Sequence, residues 1–396
     1  MKQLSIILLI TMFFSFEMQA KIAPIKNGNK YSFQSSNTYL EVDASVGARI
    51  SSFKVNGSEI LCTTKSDLYS WGSTFWVSPQ SQWKWSLYGN WPPPASIDNL
   101  SYSVVINDST LILTSAIDPG ANIQVRKTIT ANETDTSYTI QYTVINKKML
   151  VQSFAPWEDS RVPLGGMSYF PVGNKVISGN APFPSKFIMM ADSVVWYTYS
   201  AADATNKKVY ADGKEGWTAH LRNKLLFVKQ FPDILESQAA PSESEIEEYI
   251  STAFIELENQ GAYTSIPSGD SIIYTVKWFA REIPDTMETV AGNPNLLRYT
   301  RNTVGIDKSI KSNISRNIST NLIVIFPNPA HKEFFINGIE EDCALVLHDI
   351  YGRIIYTKKL IFNKNNTINV NDLPGGIYLY TIKGSHILKA GKIILK

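Results

Sequence analysis

Two glutamates stand two residues apart in Phe254-Ile-Glu-Leu-Glu258, where apolar and acidic residues alternate. Such alternation is typical of a β-strand, in which residues two apart share a face. We therefore expect Glu256 and Glu258 to lie beside Phe254 on one face, with Cα atoms about 6.6 Å apart. Two carboxylates in this arrangement could flank a glycosidic bond, or both could be solvated on an outer face.

If the chain is an enzyme, Glu256 is the predicted general base. A carboxylate beside an apolar ring is desolvated, which raises its pKa toward the working pH. The candidates for the second catalytic group are Glu258, His220 and Arg161. His220 could line a pocket or be a structural residue. Arg161 follows two acids in Trp157-Glu-Asp-Ser-Arg161, where a guanidinium could form a structural ion pair or clamp an acidic sugar.

The densest aromatic segment lies between residues 71 and 91, which hold five of the nine tryptophans of the chain. Proline and glycine interrupt it, which favours a loop over a buried strand. Flat indole faces beside amide and hydroxyl groups suit the apolar face and polar edges of a sugar ring. Alternatively, the indoles hold a long loop against a sandwich. The predicted ligand-binding residues are Trp76, Ser78, Gln80, Trp83, Trp85, Trp157 and Glu158.

Other kinds of chemistry lack their usual signatures. The chain has no phosphate-binding loop, Gly-x-Ser-x-Gly elbow, EF-hand loop or His-Glu-x-x-His motif. Cysteine spacing for a zinc site is also missing. We therefore predict neither a metal nor a cofactor. Residues 21–300 contain 23 basic and 27 acidic residues without a basic stripe, which argues against nucleic acid as a partner.

Residues 1–20 have the pattern of a secretory signal peptide. Lys2 precedes an apolar run from Ile6 to Phe16, and Met18-Gln-Ala20 has the small-residue ending of a cleavage site. The run is shorter than the roughly 20 residues that span a bilayer. No later segment resembles a membrane helix, so we predict an exported chain without a transmembrane segment.

Residues 21–300 contain many short runs of β-branched and aromatic residues separated by polar turns, without long helical periodicity. This pattern predicts an all-β fold with one large β-sandwich. The acidic run 242–248 could form one helical turn, but we expect it to be a solvated loop. Residues 301–321 are rich in Ser, Asn, Arg and Lys, which predicts a flexible linker. Residues 322–396 predict a second, small immunoglobulin-like β-sandwich.

The last segment carries Pro327-Asn-Pro329, Tyr351-Gly-Arg353, Leu373-Pro-Gly-Gly-Ile-Tyr378 and a basic terminal strand. Through these motifs, residues 322–396 closely resemble the C-terminal sorting domain of the type IX secretion system of Bacteroidetes. The alternative is a generic adhesive or carbohydrate-binding sandwich. The resemblance implies recognition by the outer-membrane secretion machinery and removal of the tail. It also implies a mature protein that passes through the periplasm and is secreted or held at the cell surface.

Four stretches of residues 21–300 carry a second resemblance: Gly47-Ala-Arg-Ile50, Gly72-Ser-Thr-Phe-Trp-Val-Ser-Pro-Gln80, Ala155-Pro-Trp-Glu-Asp-Ser-Arg161 and Phe254-Ile-Glu-Leu-Glu258. In this order they resemble an uncharacterised family with the galactose-mutarotase-like β-supersandwich fold. The resemblance implies a carbohydrate ligand, and it places one of the two glutamates where mutarotases have their base. Mutarotases also use a pair of histidines, whereas residues 21–300 contain His220 alone.

Two functions stay open at this point. The first is a secreted protein that binds extracellular glycan without catalysis. The second is a carbohydrate-active enzyme, namely an epimerase, a glycoside hydrolase or a lyase, with Glu256 as its base.

Overall fold

The computed structural model describes residues 21–63, 70–83, 91–179, 187–190, 193–306, 324–337, 339, 341–349, 353–361, 366–384 and 388–396. The chain divides into two compact units, residues 1–307 and 308–396. Strands dominate both units, which confirms the all-β prediction. The expected signal peptide and most of the expected linker lie outside the described residues.

The N-terminal unit has 21 strands within its described residues. They are β1 (Ile25–Asn27), β2 (Lys30–Gln34), β3 (Thr38–Asp43), β4 (Arg49–Val55), β5 (Ser58–Glu59), β6 (Ser73–Ser78), β7 (Ser103–Asn107), β8 (Thr110–Thr114), β9 (Ile123–Asn132), β10 (Ser137–Asn146), β11 (Gln152–Pro163), β12 (Met167–Gly179), β13 (Phe187–Met189), β14 (Val194–Thr198), β15 (Lys207–Gly213), β16 (Trp217–Arg222), β17 (Leu225–Gln230), β18 (Ile246–Ile250), β19 (Phe254–Gln260), β20 (Thr264–Ile266) and β21 (Ser271–Glu282). The helices are α1 (Ala95–Asp98) and α2 (Pro294–Thr303), with 3-10 turns at Gln80–Gln82, Ala201–Asp203 and Glu236–Gln238.

All but β5 and β20, which pair with β4 and β11, belong to two antiparallel sheets. The first sheet runs in the order β1, β2, β3, β4, β6, β11, β19, β18, β15, β12. The second runs in the order β7, β8, β9, β10, β21, β17, β16, β12, β14, β13. Strand β12 belongs to both, because its first residues pair with β14 and β16 and its last residues pair with β15.

The two sheets pack face to face around one hydrophobic core. Phe53 of β4 meets Tyr138 of β10 edge-on, with ring centroids 5.7 Å apart. Phe75 of β6 stacks on Tyr142 of β10 at 4.2 Å. Because successive side chains of a strand point to opposite faces, each strand sends only alternate residues into this core. The other set on the first sheet is free to form a site.

Helix α2 closes the N-terminal unit and was not predicted. The Asn293 side chain caps it by accepting the backbone N–H groups of Asn295 and Leu296 at 2.8 and 3.1 Å. Leu296 is fully buried against the second sheet, and Arg301 pairs with Glu215 at 2.8 Å. The predicted start of the linker at Arg301 is therefore wrong, since residues 301–306 pack as part of this unit. The signal was Asn-Pro, a cap followed by proline at the first helical position.

The prediction of a solvated loop at residues 242–248 is also wrong. Its last residues open strand β18, which pairs with β15 and β19, so Glu247 and Glu248 are buried rather than solvated. Acidic side chains are nearly always exposed unless they are paired, which made a loop the reasonable prediction. Glu247 pairs with Lys208 of β15, 2.6 Å away and 39 residues earlier in the chain.

The C-terminal unit consists of two small sheets around its own core. Its strands are β22 (Val324–Phe326), β23 (Glu333–Asn337), β24 (Cys343–His348), β25 (Ile354–Leu360), β26 (Asn366–Asn369), β27 (Gly376–Lys383) and β28 (Leu388–Leu395). The three-stranded sheet runs β22, β23, β26, and the four-stranded sheet runs β25, β24, β27, β28. Asn328 of the Pro-Asn-Pro motif donates to the Lys392 carbonyl and accepts from the Ile394 N–H, both at 3.0 Å, which ties the motif to the terminal strand.

Candidate functional site

Five neighbouring strands of the first sheet place alternate residues on the face that points away from the second sheet. Strand β11 lies at the centre, with β6 on one side and β19, β18 and β15 on the other. The registers set Trp157 opposite Trp76, and Arg161 opposite Glu256. Glu258 lies opposite Asp159 and Glu247. The pairing thus assembles a row of aromatic and charged side chains that are distant in sequence.

A cavity of about 450 Å³ opens on this row. The residues that line it are Ser70, Trp76, Gln80, Trp91, Trp157, Asn206, Lys208, Tyr249, Ser251, Thr252, Ala253, Phe254, Glu256 and Glu258. Five of the residues predicted from the sequence, Trp76, Gln80, Trp157, Glu256 and Glu258, are thereby brought together.

Indole rings form one wall of the cavity. Trp76 packs edge-on against Trp157 and Trp91, with ring centroids 5.1 and 5.7 Å apart. The indole N–H of Trp76 donates to Asp98 at 2.8 Å, and that of Trp157 donates to Glu258 at 2.8 Å. Trp91 is 37% exposed, whereas Trp76 and Trp157 are nearly buried. Trp91 therefore offers a ring at the rim, and the other two hold the base of the wall.

Glu256 belongs to a buried ion cluster with Arg161 and Asp159. The Arg161 side chain is fully buried, and its Nε donates to Glu256 Oε1 at 2.8 Å. Its two terminal nitrogens contact the Thr74 hydroxyl and the Asp159 carboxylate. Burial raises the pKa of Glu256 above its ordinary value, although the guanidinium opposes the rise. The pKa of Asp159 is raised well above its ordinary value for the same reason. Arg161 thus forms structural ion pairs and does not line the cavity.

Glu258 is held by a second cation that the sequence did not suggest. Lys208 on β15 reaches Glu258 Oε2 at 3.0 Å and Glu247 Oε2 at 2.6 Å, and its ammonium lies 5.0 Å from the Trp157 ring centre. Burial alone would lower the pKa of Lys208, but Glu258 and Glu247 raise it well above its ordinary value. Lys208 is therefore a fixed positive charge at the edge of the cavity.

Three predicted ligand-binding residues face elsewhere. Glu158 points between the sheets, where it accepts the Tyr142 hydroxyl at 2.6 Å and pairs with Lys229 at 3.1 Å. Ser78 is fully buried outside the lining of the cavity. Trp83 is also fully buried, stands behind Trp76 and Trp157, and donates its indole N–H to the Val77 carbonyl at 2.8 Å. Trp85 lies outside the described residues.

His220 does not meet Glu256. It lies on β16 of the second sheet, with Nδ1 3.1 Å from the Ser168 hydroxyl. Burial and the nearby Arg222 lower its pKa to about 3, which keeps the ring neutral at ordinary pH. It borders a separate void of about 10 Å³, too small for a substrate. His220 is thus a structural residue, the second of the two interpretations left open by the sequence.

Sequence reasoning missed several residues of the site, chiefly Lys208, Glu247, Asp159, Trp91 and Tyr249. Alternation gave a usable signal for Asp159, which shares a face with Trp157 and Arg161 on one strand. Lys208 and Glu247 carried no such signal, because their position depends on the pairing of β15 with β18. Among the described residues, no group of three or more His, Cys, Asp or Glu residues could hold a metal ion.

Comparison with known proteins identifies the C-terminal unit. Residues 324–396 match the family described as the secretion system C-terminal sorting domain. The C-terminal unit is a sorting domain of this family. The sorting domain indicates delivery to the cell surface or beyond it. Within the part of the chain that the structure describes, none of the helices has the length and hydropathy of a membrane span. No curated protein sequence is significantly similar to the chain.

Solved structures resemble the N-terminal region. A galactose mutarotase-like protein from Lactobacillus casei ATCC 334 is 12% identical, with a TM-score of 0.47 over 64% of this chain and 100% of that protein. A galactose mutarotase-like protein from Clostridium acetobutylicum is 9% identical, with a TM-score of 0.44 over 66% and 99%. A protein from Synechocystis sp. PCC 6803 is 11% identical, with a TM-score of 0.45 over 67% and 99%. The expected resemblance to galactose mutarotase-like proteins is thus found, as a likeness of backbone course alone.

The buried carboxyl of Glu248, near Ser168, predicts how stability depends on pH. Burial raises the pKa of Glu248 from 4.5 to about 8. A carboxyl that keeps its proton on folding stabilises the fold fully below its unfolded pKa, and this contribution is lost as the pH rises through the folded pKa. Glu248→Gln keeps the shape and cannot ionise. We expect the melting temperature of the wild type to fall more than that of the variant between about pH 4.5 and about pH 8.

Thermal melts of the two proteins across this range provide the measurement. Glu133→Gln, at an exposed turn, is the matched control and should keep the pH profile of the wild type. An identical profile for Glu248→Gln would contradict the assignment of a buried, protonated carboxyl.

Proposed function

We propose that the N-terminal unit binds carbohydrate in the cavity above β11 and β19. The observation that carries this proposal is that indole rings and carboxylates line the same cavity of about 450 Å³. Ligand sites in proteins are concave, mostly apolar, and supplied with a few convergent polar groups. A cavity of this size accommodates a sugar of one or two rings.

The aromatic wall supplies the apolar half of the recognition. Trp91 stands at the rim with 37% of its surface exposed, beside the nearly buried ring of Trp76. A sugar ring has one face of C–H groups, which packs on such a surface. Phe254 and Tyr249 line the opening from β19 and β18.

The carboxylates supply the polar half. Glu256 and Glu258 line the cavity together with Gln80, Asn206 and Ser251. Hydroxyl groups of a sugar can donate to carboxylate oxygens and exchange hydrogen bonds with amides and hydroxyls. The two acids are fixed by Arg161 and Lys208, so little side-chain entropy is lost when they bind.

The sorting domain supports a location outside the cell for the proposed binding. We propose that residues 1–20 are a signal peptide that carries the chain to the periplasm, and that the type IX secretion machinery of a Bacteroidetes cell then reads the sorting domain and removes it. The mature protein would meet extracellular glycan in solution or at the cell surface.

A second function, catalysis on a carbohydrate, is favoured by one specific observation. Glu256 lines the cavity while burial raises its pKa, which is the condition of a general base. Of the second groups considered, Glu258 alone also lines the cavity, because Arg161 is buried behind Glu256 and His220 belongs to the other sheet. The reaction would be an epimerisation, a hydrolysis or an elimination that uses these two carboxyls.

Replacing the rim tryptophan tests the binding site. Trp91→Ala should weaken sugar binding by about 2 kcal/mol, or roughly 30-fold, because it removes an accessible stacking face. Its melting temperature should change little. Trp217→Ala is the matched control, since it removes a fully buried indole of the second sheet and should act mainly on the melting temperature. A glycan array on the full chain selects the sugar, and calorimetry then measures each affinity. Unchanged affinity in Trp91→Ala would return the ring to a packing role.

Glu256→Gln separates catalysis from binding. The amide keeps the shape of the side chain but cannot take a proton, so turnover of any proven substrate should be abolished. Sugar affinity should stay within about tenfold, as for a group used mainly in the transition state. Product analysis by NMR gives the measurement. Full activity in the variant would rule out Glu256 as the base, and a wild type that turns over nothing would leave the binding function alone.

Deletion of residues 324–396 tests the route of export. In the native host, the shortened chain should accumulate in the periplasm, because the outer-membrane machinery has no signal to read. Cell fractionation with antibody against the N-terminal unit detects it. Normal delivery of the shortened chain to the surface or medium would contradict the proposed route.

A further inference from the structure

We propose that the cavity selects a sugar that carries a free amine, which Glu256 and Glu258 would bind as an ammonium group. This inference rests on the proposed carbohydrate function and names its substrate class. It is carried by the charge balance of the cavity and by a buried carboxylate oxygen that lacks a donor.

The charge balance of the described site favours a cationic ligand. The described residues that line the cavity include four ionisable groups, which are Lys208, Glu256, Glu258 and the Tyr249 hydroxyl. Behind them, Arg161 is joined by Asp159, and Lys208 by Glu247. Four carboxyl groups thus share two cations. Asp98 has its own partner in Arg49 and leaves this balance unchanged. Burial and the neighbouring carboxyls raise the pKa of Asp159 and of Glu247 well above their ordinary values, so protons balance part of this cluster, and a ligand cation would take their place.

Glu258 supplies the second, independent observation. Its Oε2 accepts from Lys208 and Trp157, at 3.0 and 2.8 Å. Its Oε1 is buried and has no hydrogen-bond partner in the structure. The residue lines the cavity and is 1% exposed. A buried acceptor without a donor is costly, and an ammonium group offers three donors and a charge at once.

Acidic sugars are correspondingly disfavoured. Recognition of a sugar carboxylate needs an available guanidinium or ammonium group. Arg161 is fully buried and faces Glu256, Asp159 and Thr74. Lys208 is already paired with two carboxylates. A uronate in the cavity would meet Glu256 and Glu258 without a free cation among the described lining residues.

Calorimetric titration of the full chain at low ionic strength tests the inference. The probes are glucosamine, N-acetylglucosamine, glucose and glucuronate, with the corresponding galactose series, at a pH where the amines are protonated. We expect each amine sugar to bind about tenfold or more tightly than its N-acetylated form, since acetylation removes the charge. Glucuronate and galacturonate should bind most weakly.

Two variants locate the effect. Glu258→Gln and Glu256→Gln each remove one carboxylate, and the affinity ratio between amine and N-acetyl forms should fall toward one in both. Glu133→Gln, at an exposed turn, should keep the ratio of the wild type. Circular dichroism checks the fold of each variant. If Glu258→Gln does not fold, Glu256→Gln and the wild-type series still decide.

The outcomes separate this inference from the proposed function. A wild type that binds neutral or N-acetylated sugars as tightly as amine sugars overturns the inference and leaves carbohydrate binding intact. Preference for a uronate does the same. If no sugar binds at all, the proposed function falls and the inference falls with it. A tenfold amine preference that disappears in the glutamine variants supports both.

Discussion

The buried guanidinium of Arg161 constrains the whole face of the first sheet. A charge removed from water costs several kcal/mol unless carboxylates and further hydrogen bonds compensate it. Arg161 finds Asp159 two residues back on its own strand, Glu256 across the β11–β19 ladder, and the Thr74 hydroxyl on β6. The contacts with Glu256 and Thr74 depend on strand register, since a slip of one residue would move either group to the opposite face. The register of three strands and the position of a cavity carboxylate are thus fixed by one ion cluster.

Strand β11 serves two polar clusters with consecutive residues. Asp159 belongs to the cavity face, and Glu158 points between the sheets to Tyr142, Trp278 and Lys229. Alternation makes this division unavoidable, because neighbouring residues of a strand cannot share a face. An acidic pair such as Glu158-Asp159 therefore never forms one site when it lies on a strand. Its two members have unrelated partners, and substitution of either would be felt on a different side of the sheet.

Local pattern predicted part of this arrangement well. Alternation in residues 254–258 placed Phe254, Glu256 and Glu258 on one face, and the tail motifs identified the sorting domain. Pairing between distant strands could not be read in the same way. The sequence around Lys208 does not distinguish it from a surface lysine, and Glu247 belongs to an acidic run typical of a loop. In the structure, β15 and β18 bury both residues beside Glu258. Helix α2 was not predicted, because its ten residues form fewer than three turns, although Asn293-Pro294 marked its start.

The tryptophan segment shows why the two interpretations of it were not exclusive. Trp76, Trp83 and Trp157 form a small cluster of their own, with ring centroids between 5.1 and 5.8 Å apart. Trp83 contributes packing alone, and its indole N–H is satisfied by a backbone carbonyl. Its bulk fixes Trp76 and Trp157, whose edges border the cavity and whose N–H groups orient Asp98 and Glu258. Indoles that never contact a ligand thereby hold in place the groups that line its site, so the aromatic density of the segment follows from both roles together.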